Sequence, residues 1–270
     1  MYKFYCSLLI VFTLSANAVN AQNWEFGLGI NAMNFQGDVV APALFTFKET
    51  QPSFGLLARR NFEGDKFGLR LGLNFGKLSG ADANFTDPSW RQVRKYTFST
   101  PLTELSAVLE YSPLSKLKDD GSKRSILPYF FAGFGLGFID PIVSFNETSP
   151  AAAGLKTQIA ADKANAAKTI LAFPIGAGFK FPMEKGTLAL EIGFRPTTSD
   201  YLDGISKSAN PNNNDWYVVG GLSYSFRFGG GSEPKKEVEL KVVNITPQPE
   251  PEKDTDGDGE IGRASCRERV

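Results

Sequence analysis

The chain has 270 residues, of which 42% are hydrophobic and 21% charged, with 29 basic side chains set against 29 acidic ones. A balanced charge argues against a nucleic-acid binder, which normally carries a basic excess, and the absence of histidine excludes Ser-His-Asp triads, His-zinc sites and His-based acid–base catalysis. The two cysteines, Cys6 and Cys266, both sit in terminal segments, so a disulfide framework is excluded as well.

Residues 1–21 read as a secretory signal. Lys3 supplies the positive start, Leu8 to Phe12 with Leu14 form a short apolar stretch, and Val19, Asn20 and Ala21 offer a cleavage site before Gln22. The stretch is too short to span a bilayer as a helix. Cys6 precedes it and so does not occupy the position of a lipid-modified cysteine.

From Trp24 onward, alternation at period two dominates, the signature of strands with two unlike faces. The first segment sets Trp24, Phe26, Leu28, Ile30 and Ala32 against Glu25, Gly27, Gly29 and Asn31. The second carries Phe54, Leu56 and Ala58 against Gly55 and Arg59, and the third opposes Phe67, Leu69, Leu71, Leu73 and Phe75 to Gly68, Arg70, Gly72, Asn74 and Gly76. A fourth sets Leu105, Ala107, Leu109 and Tyr111 against Glu104, Ser106 and Glu110; a fifth sets Phe130, Ala132, Phe134, Leu136 and Phe138 against Gly133, Gly135 and Gly137. The sixth opposes Leu171, Phe173, Ile175, Ala177 and Phe179 to Gly176, Gly178 and Lys180. The seventh opposes Leu188, Leu190, Ile192 and Phe194 to Glu191, Gly193 and Arg195, and the eighth opposes Val218, Leu222, Tyr224, Phe226 and Phe228 to Gly221, Ser223, Ser225 and Arg227.

Half-buried strands of a soluble sandwich also alternate, but their polar face has little reason to be rich in glycine. Facing a narrow lumen, glycine suits tight curvature and isolated charges can pair. Strands of about ten residues match a tilted crossing of a bilayer. Connections alternate as well: 61–66 and 182–186 are tight and 112–125 moderate, whereas 34–52, 79–101, 141–168 and 197–215 are long. The fold predicted is therefore all-β, an eight-stranded antiparallel transmembrane barrel over residues 22–228 with long external loops and short periplasmic turns, followed by a disordered C-terminal linker. An even strand number leaves the C-terminus in the periplasm, with the barrel in outer-membrane lipid.

The candidate lumen charges are Glu25, Arg59, Arg70, Glu104, Glu110, Lys180, Glu191, Arg195 and Arg227. They carry both signs in a barrel narrow enough to be filled by side chains, which predicts a salt-bridged plug rather than an ion channel. No nucleophile is matched to a base, so the chain is not expected to be an enzyme. Trp24, Tyr111, Tyr129, Trp216 and Phe228 suit interfacial girdles, a barrel of this kind having no need of an apolar core. In the third long loop, the alanine-rich stretch 151–168 with Leu155 and Ile159 at helical spacing reads as a short surface helix, an excursion of the loop rather than a ligand site.

Residues Glu25 to Ile30 leading to Asn34-Phe35-Gln36-Gly37-Asp38, then Glu110-Tyr111, Pro128-Tyr129-Phe130 and the aromatic end Tyr224-Ser225-Phe226-Arg227-Phe228, together resemble the outer-membrane barrels of Bacteroidota, in particular PorG-like proteins of the type IX secretion system. The resemblance covers nearly the whole barrel. It departs after Phe228, where PorG-like proteins end but this chain continues through a Gly- and Pro-rich linker, 229–253. Residues 254–259, Asp-Thr-Asp-Gly-Asp-Gly, resemble the start of a thrombospondin type 3 calcium repeat, as found between barrel and peptidoglycan-binding domain in OmpA-family proteins. Asp254, Asp256 and Asp258 alternate with small residues and Gly259 permits a sharp turn, so the three carboxylates are an incomplete calcium site. Residues 260–270 resemble a translated sequencing adapter, which implies that the open frame is truncated.

The resulting expectation is a structural, OmpA-like outer-membrane protein whose intact form tethers the membrane to peptidoglycan. The alternative is a PorG-like component that docks type IX secretion subunits at its periplasmic face.

Overall fold

The computed structural model describes residues 24–37, 39–40, 47–62, 66–86, 89–114, 122, 124–148, 152–206 and 214–228. The segments expected to be signal (1–21), linker (229–253), calcium repeat (254–259) and adapter (260–270) lie outside the described residues.

Ten strands form one antiparallel sheet: β1 (Trp24–Gln36), β2 (Thr50–Asn61), β3 (Phe67–Ala81), β4 (Thr97–Tyr111), β5 (Leu127–Ile139), β6 (Ile142–Ser144), β7 (Thr169–Ala172), β8 (Ile175–Pro182), β9 (Gly186–Pro196) and β10 (Trp216–Phe228). Among the described residues two α-helices lie in the connections, α1 (Trp90–Arg94) and α2 (Ala152–Asn165), besides short 3-10 turns at Phe47–Glu49 and Asp82–Asn84. The ten strands make eight staves. β5 and β6 are one stave broken at Asp140-Pro141, because Leu102↔Ile139 and Ser99↔Ile142 keep a single register along β4. β7 and β8 are likewise one stave broken at Phe173-Pro174, where the ladder continues through the Pro174 carbonyl, which accepts from the Gly133 amide at 2.9 Å. Proline has no N–H to donate, so each break costs a rung without shifting the register.

Neighbouring staves pair all the way round: β4 to β3, β2, β1, β10, β9, β8, β5 and back to β4. The closing seam pairs Trp24 with Phe228 and Gln36 with Trp216. Closure leaves no open edge along the wall and satisfies the backbone groups internally, which a lipid environment demands.

The wall is apolar on its outside. Ile30 is 69% exposed, Phe134 68% and Leu28 63%, whereas the inward Arg59 and Glu110 are each 1% exposed. This inverts the distribution of a soluble protein and matches the outward bulk predicted for each strand. On most staves about five successive outward positions are apolar, roughly 26 Å of strand, which at a tilt near 40° gives a belt of the order found in bilayer-spanning barrels.

The inside differs from expectation. An apolar core does exist, at the end carrying the long connections. Met33, Phe35, Leu78, Phe98, Leu102, Ile139, Tyr217 and Val219 point inward from the upper ends of the staves, and Val39, Tyr96, Ile159, Leu202 and Ile205 close over them from the connections. Phe35 and Phe98 meet edge to face, with centroids 4.7 Å apart. Helix α2 is no ornament: Ile159 is buried in this core, Leu155 packs on it, and the buried Asp162 carboxylate accepts from the Ser206 amide at 3.1 Å. Tyr129, read as a girdle residue, faces inward and is fully buried, whereas Tyr111 and Phe228 are exposed on the outside.

Candidate functional site: a charged lumen beneath a loop cap

Glycine on the inner face is what makes room for inner side chains. A Cβ at Gly176 would fall 2.5 Å from the Phe131 ring, and one at Gly193 2.7 Å from it; a Cβ at Gly178 would fall 2.8 Å from the Tyr129 ring. The aromatics of β5 thus lie over glycines of β8 and β9, large against small, which fills much of the lumen at that level. Tyr129 and Phe131 share the parity of Gly133, Gly135 and Gly137, so their inward direction is readable in the sequence and stands against the girdle position expected for Tyr129.

The lower lumen, toward the short turns, is a network of ion pairs. Cross-strand register sets Glu25 opposite Arg59 and Arg227, but it also sets Arg59 directly opposite Arg70, a repulsive pair. Glu110, reaching in from β4, resolves it. Its carboxylate lies 2.9 Å from Arg59 Nε, 2.8 Å from Arg70 Nε and 2.6 Å from Lys180 Nζ. Arg70 continues to Glu191 through Nη1 at 2.8 Å, and Glu191 also accepts from the Tyr129 hydroxyl. Arg59 Nη1 reaches Glu25 at 3.1 Å; Glu25 accepts from Ser225 Oγ at 2.7 Å and Thr187 Oγ1 at 3.1 Å, and lies 3.5 Å from Arg227. Higher up, Glu104 binds Arg195 Nε at 3.0 Å and accepts from the Tyr217 hydroxyl. All nine candidate lumen charges therefore lie inside and pair with one another: seven in the lower network, with Glu104 and Arg195 forming a second layer.

Between these layers lies a polar chamber of about 40 Å³ where Asn31 Nδ2 donates to Asn74 Oδ1 at 3.1 Å and Ser106 and Ser223 add hydroxyls. That is room for about three waters. A second space, of about 20 Å³, sits among Glu25, Arg59 and Lys180.

The cap above is built from several connections tied to one another. The Asp82 carboxylate receives Arg94 at 2.7 Å and the Tyr96 amide at 2.9 Å, and Arg91 lies 3.7 Å away while donating to the Val39 carbonyl. Tyr96 donates its hydroxyl to the Asp203 carbonyl at 2.8 Å, and the Leu202 amide donates to Asp215 at 2.9 Å. Burial pushes the Tyr96 phenol above its ordinary pKa, and the Asp203 carboxylate adds to the shift. The residues that make these contacts stand in connections with no strand alternation, so no local pattern marks them as partners.

Among the described residues, no group of three or more Cys, Asp or Glu is placed to hold a metal. The proposed ligands Asp254, Asp256 and Asp258 lie outside those residues.

Fold and site define a closed, eight-stranded antiparallel barrel with an apolar outer wall and a filled lumen. Residues 3–234 match the family described as "Domain of unknown function (DUF6089)", and the chain belongs to that family. No match was found among curated proteins. Solved structures similar to the chain are outer-membrane β-barrel proteins. Neisserial surface protein A matches with TM-score 0.43 and 11% identity over 76% of this chain and 97% of that one. Ail, the attachment invasion locus protein of Yersinia pestis, matches with TM-score 0.38 and 10% identity over 76% and 98%. The N-terminal β-barrel domain of Pseudomonas aeruginosa OprF matches with TM-score 0.36 and 12% identity over 76% and 98%.

Proposed function

We propose that this protein is a structural outer-membrane barrel that serves as an anchor and not as a pore or an enzyme. The observation that carries the reading is the combination of an apolar outer wall with a lumen filled twice, by paired charges below and by the loop-built apolar core above. A wall of that kind belongs in lipid, and a lumen of that kind passes no hydrated ion. Planar-bilayer recording tests it: the folded barrel is expected to give no large, stable conductance, and one that persists would overturn the plugged reading.

What the anchor holds is read from the sequence after Phe228. β1 begins and β10 ends side by side at the short-turn end, which supports reading that end as the periplasmic one. A Gly- and Pro-rich linker, 229–253, suits a tether to peptidoglycan, and Asp254, Asp256 and Asp258 suit calcium ligation that stiffens it. Isothermal titration of the protein with calcium tests the second point, and absence of binding heat would remove it. Sedimentation with isolated peptidoglycan tests the first. Recovery of secretion-ring subunits in place of peptidoglycan would replace the tether with the PorG-like docking role.

A further inference from the structure

The break between β7 and β8 lies opposite the middle of β5. Register continues through it, from Gly135↔Ala172 to Ala132↔Ile175, which sets Gly133 opposite Pro174. On the other side, Ile175↔Phe194 and the bridge Ala172↔Thr197 set Arg195 of β9 opposite Pro174. The Gly133 amide donates to the Pro174 carbonyl at 2.9 Å. An antiparallel pair of this kind exchanges two such bonds, but proline has no N–H to return, so the Gly133 carbonyl faces the break without its rung. Lipid supplies no donor, and on the outside Phe134 and Phe173 meet edge to face beside the break, with centroids 5.9 Å apart.

The inner side is polar. Pro174 and Arg195 both line the chamber of about 40 Å³. Glu104 reaches the same place, because its side chain crosses Gly135: a Cβ there would lie 3.5 Å from Glu104 Cγ and 3.7 Å from the Cβ of Ala172, two residues before Pro174 on the same inner face. Glu104 Oε2 accepts from Arg195 Nε and from the Tyr217 hydroxyl. Its other oxygen, Oε1, is buried with no hydrogen-bond partner among the described residues. Two acceptors in need of a donor, the Gly133 carbonyl and Glu104 Oε1, therefore flank the break beside a guanidinium.

We propose that the break is a binding site for one water molecule of the chamber, which donates to the Gly133 carbonyl and to Glu104 Oε1 and accepts from the Arg195 guanidinium. Water has the two hydrogens that the two acceptors require, and about three polar partners is the usual number for a buried water. Such a bridge is nearly as good in enthalpy as the direct bond that it replaces. An anion would meet two acceptors there, and a cation would add a charge to a carboxylate that Arg195 already neutralises. The Glu104–Arg195 layer thus completes the hydrogen bonding of the wall as well as filling the lumen. The inference rests on the closed barrel and not on what the barrel anchors.

Solid-state NMR of isotope-labelled protein refolded into phosphatidylcholine vesicles tests it, by timing the transfer of polarisation from water protons to individual carbons. The Gly133 carbonyl and the Glu104 carboxyl carbon are expected to receive it several-fold faster than the side chains of Phe98 and Leu102 in the upper core. Pro174→Ala returns the missing N–H, so Gly133 should lose its fast transfer in that variant. Transfer to Gly133 as slow as to Phe98 in the parent, or fast transfer that Pro174→Ala leaves unchanged, would overturn the site. Equally fast transfer to Phe98 and Leu102 would show a lumen open to water and overturn the plugged reading with it. Should Pro174→Ala fail to assemble, judged by loss of its heat-modifiable gel mobility, the rates in the parent decide alone.

Discussion

Removal of the charge on Glu110 tests the account of the lumen most directly. Four cations (Arg59, Arg70, Lys180 and Arg227) meet three carboxylates (Glu25, Glu110 and Glu191) in the lower network, and Glu110 touches three of the four cations. Glu110→Gln preserves the side chain's volume, so no cavity opens, but it leaves three buried cations and the partly exposed Arg227 facing two carboxylates and frees Arg59 to repel Arg70 across the β2–β3 pair. Stripping one partner from a buried ion pair costs about 3–5 kcal/mol, and the Gln carbonyl still accepts one hydrogen bond, so the expected loss lies near the lower limit, about 3 kcal/mol. Lys180 has Glu110 as its ion-pair partner among the described residues. Adding Lys180→Met to Glu110→Gln should therefore restore about half of the loss. Urea unfolding of the barrel refolded in vesicles, followed by tryptophan fluorescence and heat-modifiable mobility, measures both. If Glu110→Gln unfolds within about 0.5 kcal/mol of the parent, or if Lys180→Met adds to the damage, the network does not hold the lumen together as described.

Other expectations concern the wall and the cap. Leu71→Arg places a charge at an outward position of β3 that is 46% exposed; near the middle of a bilayer it should cost about 2–4 kcal/mol and impair assembly into vesicles, and unimpaired assembly would count against the membrane reading. Tyr96→Phe removes the donor to the Asp203 carbonyl and should weaken the cap by about 1 kcal/mol, measured as faster backbone hydrogen exchange in 197–206. Because burial raises the Tyr96 phenol, the folded state keeps the proton that the unfolded state releases near pH 10. Stability is therefore intact below that pH and falls as pH rises beyond it, and Tyr96→Phe should blunt the alkaline loss seen in a pH series of unfolding curves. Lys95 holds a left-handed backbone (φ 48°) at the end of α1; Lys95→Asn suits that conformation better and should raise the unfolding midpoint slightly, whereas a lowered midpoint would assign the lysine a contact that matters.

How much was legible in the sequence follows from what is periodic. Side-chain parity along a strand is a local property, so Leu71 and Arg70, or Phe134 and Gly135, declare opposite faces with no knowledge of their neighbours. Outward bulk, inward glycine and charge follow from that parity, and so does the membership of all nine lumen charges; the number of alternating segments and the residues between them give the eight staves and the alternation of long and short connections. Parity also directed Tyr129 and Phe131 inward, where they cover glycines on other staves.

Pairing and capping belong to the tertiary structure. Only the closed barrel brings Lys180 of β8 to Glu110 of β4, or Arg70 of β3 to Glu191 of β9, because those contacts cross the lumen between staves that share no ladder. The sequence showed charges of both signs; it took closure to make Glu110 their hub and to expose the Arg59–Arg70 repulsion that the hub relieves. The upper core depends on closure more deeply still. Met33, Phe35, Leu78 and Leu102 are inward residues above the level where the lumen is charged, and they are buried only because Tyr96, Ile159, Leu202 and Ile205 fold over them from loops far apart in sequence. Burial is a property of what lies opposite, and neither an aperiodic loop nor the short helix carrying Ile159 gives a local sign of what it will cover.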